Sequence, residues 1–173
     1  MSEQKPHKVK DIFVEGPIDP AFIATSIAKH STRTDIGAHE IFLGQVRADA
    51  VQANDRSSMA VQAIEYTAYR DMALERMTAI REDAFGKWPT MTCLHVHHSL
   101  GAISAGQLCF MVFASAPHRA AAREAVAYVV DRIKAELPIF GMEILSDGTH
   151  IWKTTRSVDP PGRPADHQRD STL

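Results

Sequence analysis

SAPHRAAAREAVAYVVDRIKAELPIFGMEILSDGTHIWK, residues 115–153, decides the fold. Ala122, Val126, Val129, Val130, Ile133 and Leu137 recur at helical spacing, so one stripe of a long helix is expected to lie buried against a flat partner. Pro138 cannot continue a helix and ends it. A strand pair is expected to follow, at 142–145 and 149–152, turning at Asp147 and Gly148. At the helix start, His118 and Arg119 coincide with unpaired backbone N–H groups and the positive end of the dipole, which suits an anion. Near its end Lys134 follows Val130 by one turn and sits beside Ile133. Its stem therefore leaves from the edge of the apolar stripe, toward a partly desolvated site.

Arg119 and Lys134 are fifteen positions apart, which at about 1.5 Å per residue is roughly 22 Å of helix. Two side chains cannot easily close that gap on one small anion. Either a two-fold dimer brings the His-Arg end of one subunit to the Lys end of the other, or one of the two cations is a solvated surface charge.

The chain of 173 residues, 45% hydrophobic and 23% charged, has the size and composition of one soluble globular domain. A net charge of -2 gives no basic face for nucleic acid. The longest apolar runs are strand-length and no N-terminal signal pattern is present, so no membrane association is expected and a cytoplasmic location is the default. Cys93 and Cys109 are too few and too poorly spaced for a disulfide framework or a zinc site.

In chain order, 10–15 reads as a short strand ending at Gly16-Pro17. Asp19 and Pro20 open a helix running to about Lys29. GAHEIFLGQVR, 37–47, reads as a largely buried strand that emerges at Arg47. Residues 48–59 read as a long flexible loop, 60–66 as a strand, and 71–85 as a helix closed by Gly86. TCLHVHHSL, 92–100, alternates as a strand, 101–106 is a turn region, and QLCFMVFA, 107–114, is a central apolar strand. The ordered domain is expected over 1–153. The tail at 154–173, with three prolines, is expected to be disordered. Helices returning between strand pairs argue for an α+β sandwich with three main helices and antiparallel or mixed sheets.

No GxSxG, P-loop or GxGxxG occurs, so serine acyl transfer, nucleotide hydrolysis and dinucleotide binding lose their usual signals, and no cofactor is called for. His95 and His97 share a strand face and His98 takes the other, with no Cys, Asp or Glu read at ligand spacing, so no metal site is expected. Both cysteines read as buried thiols rather than nucleophiles. What remains is an anion pocket built from Arg47, His118, Arg119 and Lys134.

GAHEIFLGQVR, a variable loop, IEYTAYRDMA, HHSLGAISAG, the SAPHR helix start and KAELPIFGMEI before THIWK together resemble the large-subunit family of molybdopterin synthase, over about 12–153. The resemblance implies an α/β-hammerhead fold and a homodimeric core. A small ubiquitin-like sulfur-carrier subunit is implied at each end, its C-terminal Gly-Gly thiocarboxylate entering the pocket of a heterotetramer. The implied reaction moves sulfur from two carriers onto cyclic pyranopterin monophosphate (precursor Z), forming the molybdopterin dithiolene. Lys134 then matches the family's first active-site lysine. Gln45, Val46, Arg47, His118, Arg119, Gly141, Met142 and Glu143 fall at substrate-binding positions, the cations holding phosphate and oxyanion charge. The chain departs from the family where a second lysine commonly follows the Pro-aromatic step, since it reads Gly141, Met142, Glu143. His98 likewise stands where arginine is common. Lys153, at the end of the last strand, is the candidate replacement for the missing ammonium. The alternative reading is a non-catalytic relative that binds a pterin phosphate or a carrier protein.

Overall fold

The helical stripe packs as its spacing demands. In the computed structural model, which describes residues 11–52 and 58–153, the helix spans Arg119–Glu136 and buries Ala122, Val126, Val129, Val130 and Ile133, with Leu137 buried just beyond it. In chain order the elements are β1 (Phe13–Glu15), α1 (Ala21–His30), β2 (Ala38–Gln45), β3 (Ala50–Gln52), β4 (Ser58–Ala68), α2 (Arg70–Lys87), β5 (Cys93–Ser104), β6 (Leu108–Ala116), α3 (Arg119–Glu136), β7 (Ile139–Leu145) and β8 (His150–Trp152). They form one mixed sheet in the order β2-β6-β5-β4-β7-β8, with β1 added in parallel to β5 and β3 antiparallel to β4. The α+β class with three helices is thus the observed one. No helix among the described residues is long and apolar enough to cross a membrane.

The sheet is covered on both faces. Phe110, Val112 and Ala114 of β6 join Met77, Ile80 and Ala84 of α2 and the stripe of α3 in the larger core. Met111 and Phe113 face the other way, onto Phe22 and Ile23 of α1. This alternation, with every residue of β6 after Leu108 buried, makes it an interior strand flanked by β2 and β5, one place in from the edge rather than at the centre its apolar run predicted. The Asp19 side chain accepts the Ala21 N–H at 2.8 Å and starts α1.

Four expectations need correction. The strand at 37–47 is shorter and only half-buried, because β2 pairs with β6 alone and forms an edge of the sheet. The loop read at 48–59 contains β3, which pairs with the start of β4; its tip at 53–57 lies outside the described residues, as does the tail at 154–173. The turn read at 101–106 is mostly strand, since β5 runs on to Ser104, pairing first with β6 and then with β4. Gly101, at φ 81, lies at that change of partner and supplies a backbone conformation that other residues resist. Gly86 does not close α2 but sits in its last turn.

At the start of α3 the chain is held by a close approach. A Cβ on Gly37 would lie 2.3 Å from the Pro117 carbonyl oxygen, and the Gly37 N–H donates to Ala116 O at 3.1 Å. The entry to β2 and the turn that presents His118 are therefore fixed against each other. Gly37→Ala should force these backbones apart at a cost of about 1–3 kcal/mol, read as a lower urea midpoint with an unchanged slope.

Candidate active site

Helix α3 runs back along β6 and over β2, so its two ends reach opposite ends of β2. The pairing of Ala38 with Ala116 marks one end and that of Gln45 with Leu108 the other. Arg123, one turn into the helix, pairs with Glu40 at 3.7 Å, whereas Lys134 places its Nζ 5.5 Å from the centre of the Phe42 ring. His118 occupies the N-cap position with no side-chain cap bond, and both it and Arg119 are exposed. A single chain therefore carries two separated cationic groups, one at each end of α3, as the helix length required.

The Lys134 end is the more elaborate. Phe42 packs edge-on against Phe110, and the His98 ring lies 5.4 Å from Phe110 and 5.0 Å from Tyr66. A register shift between Gly44 and Gln45 makes Cys109 an extra residue between Leu108 and Phe110, so Cys109 and Phe110 both pack into the larger core. Bulges of this kind re-aim side chains beside functional sites. Here the bulge sets Cys109 Sγ 3.5 Å from the Tyr66 hydroxyl. Burial first, then the Cys109 contact and the Glu143 charge, push the Tyr66 phenol well above its usual range, so the hydroxyl stays protonated.

The sequence-predicted residues distribute as follows. Gln45 ends β2 in the open, and Val46 is buried with its N–H on Gln107 O and its carbonyl taking the Gly106 N–H. Arg47 is 79% exposed and pairs with Asp49 at 2.9 Å. Gly141, Met142 and Glu143 lie half-buried on β7, opposite Tyr66, Glu65 and Ile64 of β4. A Cβ on Gly141 would come within 3.1 Å of Ile64 Cγ2 and 3.4 Å of the Tyr66 ring. Lys153 follows β8, and its N–H donates to Gly141 O at 2.9 Å. The Lys153 backbone thus lies beside Gly141, the neighbour of Met142. Phe42, Tyr66, His98 and Cys109 were not singled out as site residues. Cys109 reads as a buried thiol and Tyr66 as a strand residue, and only the strand order and the bulge bring them together.

His98 is 8% exposed. Its Nδ1 donates to Ser99 O at 2.9 Å, which leaves Nε2 as the acceptor of the neutral ring. A neutral imidazole near the exposed Lys134 is a stable pairing, and an arginine in this buried place would bring a second positive charge toward it.

Comparison with known proteins gives a consistent picture. The family model described as "MoaE protein" matches residues 14–136. The molybdopterin synthase catalytic subunit of Drosophila pseudoobscura pseudoobscura is 34% identical over 150 residues, 85% of this chain but 38% of that protein. The chain thus spans about two-fifths of the length of the Drosophila relatives it matches. The protein of the same name from Taeniopygia guttata is 35% identical over 120 residues, 69% of this chain and 73% of that protein. Molybdopterin synthase from Staphylococcus aureus superposes with a TM-score of 0.69 at 26% identity, covering 84% of this chain and 98% of that one. A complex of subunits 1 and 2 of molybdopterin-converting factor from Helicobacter pylori 26695 has the same fold, with a TM-score of 0.66 at 20% identity over 84% of this chain and 90% of that one.

The burial of His98 has a pH signature. Burial first, and then the Lys134 charge, hold its pKa below 6.5, against the Ser99 carbonyl bond that favours the cation. The unfolded chain then takes up a proton that the folded one refuses, so this contribution to stability is lost as pH falls through about 6.5 toward the folded value. Urea midpoints should drop between about pH 7 and about pH 5.5, and His98→Phe should flatten that slope.

Proposed function

Because the chain belongs to the MoaE protein family, we propose that it is the catalytic subunit of a molybdopterin synthase, moving sulfur from a thiocarboxylated carrier subunit to precursor Z. The observation that carries the reading is a chain of contacts at one end of α3, with Lys134 over Phe42, Phe42 on Phe110, His98 against both Phe110 and Tyr66, and Gly141 paired with Tyr66. Lys134 is itself exposed, not desolvated as its place on the helix led one to expect, with its Nζ over the half-buried Phe42 ring; seating of the carrier and substrate over it would strip water from it and strengthen its hold on developing negative charge. The carrier brings its sulfur already activated, so no cysteine nucleophile is required of this chain, in keeping with the burial of Cys109. Each transfer breaks a carbon–sulfur bond of the carrier's thiocarboxylate and forms one on the pterin side chain in place of a carbon–oxygen bond, whose oxygen leaves as water or stays on the phosphate. Water replaces the departed sulfur and leaves the carrier a carboxylate.

The substrate's phosphate calls for the arginines. In one chain Arg47 stands near the Lys134 end of α3, and His118 with Arg119 at the far end. A homodimer that sets the His-Arg end of one copy against the Lys end of the other completes the anion pocket, and two carriers then make a heterotetramer. Lys153 takes the place of the second lysine by reaching across from β8. The exposed apolar side chains of Tyr69, Phe140, Ile151 and Trp152 border the same strand end and suit the docking of a small folded carrier.

Reconstitution of the purified protein with thiocarboxylated carrier and precursor Z should give molybdopterin. Lys134→Ala should reduce turnover by roughly 10²–10³-fold, with its melting temperature little changed. Lys153→Ala should lower it further than any substitution on β8. Mixed dimers of Lys134→Ala with Arg119→Ala should regain activity that neither variant has alone, because one of their two pockets is intact. Tight carrier binding without any turnover by the wild type would overturn the catalytic reading in favour of a non-catalytic relative.

A further inference from the structure

Strand β5 shows a second group of reactive side chains on the face away from Lys134. Cys93 and His95 alternate with the buried Leu94 and Val96 and point toward α1. The last residue of that helix, His30, comes down over them: its ring lies 5.8 Å from His95, 5.5 Å from His39 and 5.6 Å from Phe113. One ligand atom from each of His30, Cys93 and His95 falls within 4.8 Å of the other two. Cys93 stands two residues before His95 on the same strand face, whereas no spacing reveals His30, which is separated from them in sequence by the whole of β2 to α2.

We propose that His30, Cys93 and His95 form a binding site for a borderline-soft divalent ion, zinc above all. The donor set suits it, since imidazole and thiolate are the usual zinc ligands and two nitrogens with one sulfur leave one position of a tetrahedron for water or His39. Zn–N of about 2.1 Å and Zn–S of about 2.3 Å put tetrahedral ligand atoms roughly 3.4–3.8 Å apart. Small side-chain rotations therefore close the group onto an ion.

Two independent features point the same way. The Nδ1 atom of His30 is buried and has no hydrogen-bond partner among the described residues, a condition that costs free energy unless something binds there. Around the trio is a supporting shell: Ser115 Oγ lies 3.1 Å from Cys93 Sγ and 2.7 Å from His39 Nδ1. Metal sites commonly hold their ligands through such outer contacts. On binding, the S–H proton leaves to solvent as the sulfur–metal bond forms, so one proton is released per ion. The site lies across the sheet from Lys134 and is independent of the proposed sulfur chemistry. An ion there fastens the end of α1 to β5.

The test is a titration of untagged, chelator-treated protein with cobalt(II) alone, followed by absorption. One equivalent should give the intense ligand-field bands of a four-coordinate ion and a thiolate-to-cobalt charge-transfer band. Zinc should abolish both bands and raise the melting temperature. Cys93→Ser should lose the charge-transfer band, His30→Gln should weaken binding at least about tenfold, and His97→Gln, on the same face but outside the trio, should change neither. The band in the wild type reports the sulfur–metal bond directly, so a variant that fails to fold does not leave the question open. Weak octahedral spectra without charge transfer, or no binding at one equivalent, would overturn the proposal.

Discussion

The packing of α3 across β6 and β2 is the constraint on which the rest depends. A stripe of small and β-branched residues lets the helix lie close to the sheet, and its contact with two strands leaves it no freedom to swing. Helix rigidity then sets the separation of its termini. Chemistry placed at the two ends cannot be gathered by one copy of the chain, whatever the side chains do. Quaternary structure thus enters the proposed mechanism through backbone geometry, before any interface is considered.

Much of this was legible in the sequence because helices and central strands follow local rules. The stripe of α3, the stop at Pro138, the turn at Asp147 and Gly148 and the burial of β6 all came from spacing and from proline and glycine chemistry. Failures arose where tertiary pairing overrides local pattern. Strand β5 reads through Gly101 because β4 offers it a second partner, and Ala50–Gln52 becomes a strand only because the start of β4 lies beside it. Burial of β2 was overread, since an apolar run does not say whether a strand has one neighbour or two.

The site was legible to a different degree. Lys134, Arg47 and the His118-Arg119 pair could be chosen by charge type and position at element ends. Tyr66 and Cys109 could not, because only the strand order and a one-residue bulge bring them together. Gly141 is informative in both respects. It stands where the family sequence commonly differs, and its missing side chain leaves room for the Ile64 methyl and the Tyr66 ring. A bulkier residue there would press on Tyr66, so the missing side chain and the placement of the phenol belong to one local solution.

The alternation along β5 has a wider consequence. Even-numbered residues from Leu94 to His98 belong to the face of α3, and odd-numbered ones from Cys93 to His97 to the face of α1. Point substitutions can therefore retune one face with little disturbance of the other, and the two surfaces are free to diverge at different rates. Insertions or deletions have no such freedom. Losing a single residue inside this strand would exchange the parity of everything beyond it, sending His98 toward α1 and His97 into the space beside Tyr66. Substitution is therefore open to descendants of this chain at β5, and change of length is closed.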